Sequence, residues 1–74
     1  MAYNYSKLLG RIIEKYGSQA KFAVAMGMSE RSLSLKLNNL RPFKQEQITK
    51  ACLLLDIPEC EIPLYFFTLQ VQLA

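Results

Sequence analysis

Residues Ser18–Asn39, SQAKFAVAMGMSERSLSLKLNN, decide how this chain is read. Gly27 divides the stretch into two short helical segments, because a glycine takes the positive φ that ends one helix and turns the chain toward the next. Ser18 and Ser29 stand where each segment should begin, as side-chain caps for the first free amides. On a wheel of about 100° per residue, Leu33 and Leu37 fall within about 40° of each other and mark a core-facing side. Arg31, Ser34, Leu35 and Asn38 fall on the opposite side, at about 100–200°. A forked cation, a hydroxyl, an amide and an exposed aliphatic are the chemistries that read base edges in a DNA groove.

The flanks extend this into an all-α expectation. Leu8, Leu9, Ile12, Ile13 and Tyr16 recur at three- and four-residue steps and predict a first helix over Ser6–Tyr16, closed by Gly17. A loop at Asn39–Pro42 precedes a fourth helix over Lys44–Leu55, with Ile48, Ala51, Cys52 and Leu55 as its apolar stripe. Pro58 and Pro63 bracket a short PECEI turn, read as one helical turn. In the tail, residues 63–74, Phe67, Leu69, Val71 and Leu73 alternate with polar residues in a strand pattern. A lone strand leaves its backbone unpaired, so it needs a mate: the N-terminal AYNY or the same segment of another chain.

Seventy-four residues make one domain, 1–74, and a chain this short buries only roughly 60% of the surface it exposes unfolded. With 51% hydrophobic residues, disorder is not expected, and apolar surface is left over for a partner. Leu53 and Leu54 widen the fourth helix beyond one face. With Tyr65, Phe66, Phe67, Leu69 and Val71 they are expected to form an oligomer or partner surface. No apolar run reaches the ~18 residues of a membrane span, and MAYNYSK does not read as a signal peptide, so a cytoplasmic location without a membrane role is expected. Cys52 reads as a small core residue and Cys60 as a loop or short-helix residue, with no disulfide between them. With no His and two Cys, no zinc site or other cofactor is expected, and no nucleophile–base set points to an enzyme.

The formal charge of +3 is unevenly spread. All nine Lys and Arg lie in residues 1–50 against Glu14, Glu30 and Glu46, a surplus of six. The remainder carries Asp56, Glu59 and Glu61 and no cation. A basic first two-thirds and an acidic, apolar end suggest one polyanion-facing side and one protein-facing side.

QAKFAVAMGMSERSLSLKLN, residues 19–38, resembles the helix-turn-helix of the small phage Cro and repressor proteins and of similar bacterial regulators. The tail IPLYFFTLQVQ is more loosely similar to small switch proteins of temperate phages of Gram-positive bacteria. The resemblance implies an all-α, five-helix, helix-turn-helix domain of Cro/repressor type, the motif at 18–39, with a short C-terminal strand or extended tail. It implies base or flanking-phosphate contacts at Ser29, Glu30, Arg31, Ser34, Leu35 and Asn38. Phosphate contacts would come from Gln19, Asn39, Arg41 and Lys44, with Lys21 and Lys36 as added charges. Two positions depart from the pattern. Lys36 replaces an apolar core residue and is expected to reach outward while Leu37 packs. Lys44 replaces the Ser or Thr that caps the fourth helix.

These readings lead to a sequence-specific DNA-binding regulator, a Cro-like repressor of a phage lysis/lysogeny-type switch. It would bind a double-stranded operator as a homodimer, with half-sites roughly 34 Å apart. The alternative is an antirepressor that acts by binding a phage repressor protein, which the acidic, strand-ended tail keeps open.

Overall fold

The computed structural model describes residues 2–69. They form α1 (Ser6–Tyr16), α2 (Gln19–Met26), α3 (Glu30–Leu37), α4 (Gln45–Leu55), a single 3-10 turn (Glu59–Glu61) and α5 (Ile62–Phe66). The first four helices lie within a residue or so of the sequence expectation, and serine caps or glycines fix the end of α1, both ends of α2 and the start of α3. Ser18 Oγ accepts from the Lys21 amide at 3.2 Å and Ser29 Oγ from the Ser32 amide at 3.1 Å. Gly17 (φ 84°) and Gly27 (φ 75°) close α1 and α2 in the left-handed region. At Gly27 the turn is completed by Met28 N–H to the Ala23 carbonyl at 3.0 Å.

The core collects one or two side chains from each helix. Leu8 and Ile12 of α1, Phe22 of α2, Leu33 of α3, Leu55 of α4 and Phe66 of α5 are all under 2% exposed. Ala23 and Ala51, both buried, are small enough for α2 and α4 to pack closely. An edge-to-face chain of rings extends this core toward the N-terminus. Tyr5 meets Phe43 with centroids 5.4 Å apart, and Phe43 meets Phe66 at 5.4 Å.

Three expectations for the C-terminal region are corrected. The helical turn expected at PECEI is a 3-10 turn that does not stop at Pro63: Pro63 lies in the first turn of α5, where its fixed φ and missing N–H suit a helix start. Among the described residues the strand pattern produces only an isolated antiparallel bridge, Tyr3 with Leu69, supported by Asn4 N–H to the Thr68 carbonyl at 2.7 Å. Of the two mates left open, the N-terminal segment is thus the one engaged here. Tyr65 and Phe66, expected on a partner surface, are buried: Phe66 is 1% exposed in the ring cluster, and Tyr65 faces α1, where the Lys7 ammonium sits 5.2 Å from its ring centre. Leu54 is half-buried against the core, whereas Leu53, Phe67 and Leu69 are exposed. Val71 lies outside the described residues.

Cys52 is buried, Cys60 is exposed, and both are free thiols. Burial pushes the Cys52 thiol above its usual pKa, which keeps it protonated and unreactive. No described helix is long and apolar enough to cross a membrane.

Candidate interaction surface

α3 is held from behind by Leu33, fully buried, and by Leu37, half-buried against the core. Its front carries Glu30 and Arg31, both exposed, with Ser34 and Leu35 half-buried beside them. Among the described residues neither Glu30 nor Arg31 has a side-chain hydrogen bond or ion pair. Ser29 is occupied as the helix cap and also bonds the Ser32 hydroxyl at 3.0 Å. The Asn38 amide folds back onto its own helix, donating to the Ser34 carbonyl at 2.8 Å and approaching the Ser34 hydroxyl at 3.3 Å. The Asn38 Nδ2 group is thus engaged within the helix, while its Oδ1 and the Ser34 hydroxyl hydrogen stay open beside the exposed Arg31 and Glu30 and the partly covered Leu35.

Two expected phosphate contacts are corrected. Lys36 does not reach outward. Its residue is only 8% exposed, and its ammonium donates to the Pro42 carbonyl at 3.1 Å. On the wheel Lys36 falls about 60° from Leu33, on the side opposite Leu37, so the helix carries it inward. Its stem fills space and its charge holds the loop after α3. Asn39 is likewise engaged. It accepts from the Tyr3 amide at 2.8 Å and donates to the Tyr3 carbonyl at 2.8 Å, copying with one side chain the pairing of a neighbouring strand. Its positive φ of 63° is tolerated because a short amide side chain accepts the left-handed region better than most. Together with Leu40 N–H to the Leu35 carbonyl at 2.8 Å and Asn39 N–H to the Lys36 carbonyl at 3.2 Å, this closes α3.

The cations divide by task. Arg11 donates through Nε to the Leu55 carbonyl at 2.9 Å and through Nη2 to the Asp56 carbonyl at 3.4 Å. It thereby fastens α1 to the C-terminus of α4. Lys15 pairs with Asp56 at 2.8 Å, and Lys50 donates to the Met26 carbonyl at the end of α2. With Lys7 over Tyr65 and Lys36 on Pro42, five of the nine serve the fold. Lys21, Arg31, Arg41 and Lys44 are exposed, and their side-chain cations donate to no side chain or carbonyl among the described residues. At Lys44 the missing cap is compensated by Gln47, whose Oε1 accepts the Lys44 amide at 3.0 Å. Gln19 is half-buried in the first turn of α2.

Sequence reasoning missed a groove where the loop after α3 meets the N-terminal segment. Its volume is about 380 Å³; buried Tyr5 and Phe66 and half-buried Phe43 form its floor, and Leu40, Arg41 and Phe67 stand around it. The tyrosine alternation in AYNY and the aromatic pair FF were its visible traces.

The family model described as "Protein of unknown function (DUF739)" matches residues 1–69. The chain belongs to that family. No curated protein matches it. Among solved structures, it is similar to the solution structure of the modulator of repression of the temperate bacteriophage TP901-1 from Lactococcus lactis. The identity is 50%, 97% of each chain is covered and the TM-score is 0.81. That likeness places the chain beside a small regulatory protein of a temperate phage.

Proposed function

We propose that this protein modulates a temperate-phage genetic switch by binding the phage repressor protein, rather than by reading an operator alone. The likeness to a modulator of repression across nearly the whole of both chains carries this reading. The α2–α3 pair, which we read as a helix-turn-helix, supplies the contact face with Arg31, Glu30 and Leu35 at its centre. The character of that face supports a protein partner. A carboxylate beside a free guanidinium suits a mixed-charge protein surface, whereas Glu30 would repel DNA phosphates. The Asn38 Nδ2 group is turned onto Ser34, which leaves less of that amide for base reading. The role is one of binding, with no catalytic step.

A second reading, operator binding, retains support from the four cations that do no work for the fold. A gel shift with operator DNA separates the two. The expected result is no specific shift by this chain alone, and an altered repressor shift when it is added. A sequence-specific shift by the chain alone would overturn the proposal. Arg31→Ala is expected to weaken repressor binding by about 1–3 kcal/mol, measured by titration calorimetry, if its guanidinium pairs with a repressor carboxylate.

A further inference from the structure

The groove between the N-terminal segment and the loop after α3 is an apolar feature of defined shape that no other part of the described chain fills. Its floor is aromatic and buried, while its lips, Leu40 and Phe67, are 70% and 48% exposed. Neither lip is required to close the core, which Phe66 and Leu33 already fill. Arg41 stands at the rim with a free guanidinium, and no acidic side chain lines the groove. Lys36, tied to Pro42, and Asn39, tied to Tyr3, hold both walls in place before anything binds. Such preorganisation lowers the cost of association.

From these observations we infer that the groove is a docking site for a segment of the phage repressor that carries a large apolar side chain with a carboxylate next to it. The inference rests on the repressor-binding function proposed above and adds a second contact region with its own chemistry. The apolar side chain enters between Leu40 and Phe67 and meets ring edges on the floor. The carboxylate takes the two parallel N–H donors of Arg41. A free small molecule fits less well, because small-ligand sites enclose most of their occupant and this groove is open along one side. A second copy of this chain also fits less well. A two-fold contact across the groove would bring Arg41 toward its own copy, on a chain already at +3.

The test uses the full chain, the purified repressor of the same phage genome and two variants, Leu40→Asp and Arg41→Glu. Both positions are exposed, so melting temperatures should stay within a few degrees of wild type. Should either fail to fold, Leu40→Ala or Arg41→Gln replaces it. Binding is measured by titration calorimetry at low and high salt, and the chain alone is measured by sedimentation. We expect each variant to bind the repressor more than fivefold more weakly, with the Arg41→Glu loss shrinking as salt rises and the Leu40→Asp loss unchanged. If the wild type binds and either loss is smaller than fivefold, the groove assignment falls while the proposed function stands. If the wild type does not bind the repressor, both fall. If Leu40→Asp instead dissociates a dimer of the chain alone, the occupant is a second copy and the inference is overturned.

Discussion

At the scale of single residues, Lys36 and Asn39 show how a side chain that looks functional can be consumed by the fold. Both are polar, both sit at the end of α3, and both have their polar atoms on backbone groups of other segments. Lys36→Met keeps the buried stem and should change stability by no more than about 1 kcal/mol in urea unfolding. Lys36→Glu should cost about 2 kcal/mol or more, since a carboxylate cannot donate to the Pro42 carbonyl. Asn39→Ala loses two hydrogen bonds and forces alanine into the left-handed region, and should cost about 2 kcal/mol. Asn39→Gly retains the backbone freedom and should cost less. Lys36 was legible in principle: the same wheel that puts Leu33 inward puts Lys36 nearby. The resemblance to a family with an apolar residue there encouraged the idea that a lysine must point out. Asn39 was not legible, because its partner Tyr3 is 36 residues away and nothing local announces the pairing.

Element boundaries were legible wherever a cap or a glycine fixed them, and less so where a proline had two meanings. Ser18, Ser29, Gly17 and Gly27 each act locally, so α1, α2 and α3 begin and end close to where the sequence puts them. Pro63 could end a turn or open a helix, and reading it as the close of the PECEI turn left α5 unseen. α4 ends without a glycine, at Asp56 with φ 54°, and is secured from outside by Arg11 and Lys15 of α1. Arg11→Met should therefore lower stability by about 1–2 kcal/mol, read as a fall in melting temperature. The hydrogen bond and charge of Lys15 hold the Asp56 carboxyl below its usual pKa. A lowered folded pKa means the contribution is complete above the ordinary carboxylate range and is lost as pH falls through the folded value. Acid titration of thermal stability should accordingly show a shallower loss below about pH 4 in Asp56→Asn than in wild type, because asparagine carries no charge to lose.

For the whole molecule, the all-helical class was legible from periodicity, while the division of the aromatic tail between core and surface was not. Adjacent Phe66 and Phe67 have equal hydrophobicity, and only the packing of α5 decides that the first is 1% exposed and the second 48%. Phe66→Ala should cost about 3–5 kcal/mol, a large part of the stability of a domain this small, and leave the chain substantially unfolded on warming. Phe67→Ala should cost far less and, under the docking proposed above, should instead weaken repressor binding. Circular dichroism melts beside calorimetric titration separate these effects. On α3 the periodicity puts Arg31 and Asn38 on an exposed side, as the structure has them, but it does not encode what meets that side, which is a matter of chemistry between molecules.

The pairing of Tyr3 with Leu69 means that both ends of the described chain leave from one spot. A stretching force applied through flanking sequence would load that pair like a zipper, opening its contacts one after another instead of shearing them together. Tension on Tyr3 would also reach the end of α3 through its two hydrogen bonds with Asn39, so the first step of mechanical unfolding should part these bonds together with the bridge, need little force and leave the buried side of α3 intact.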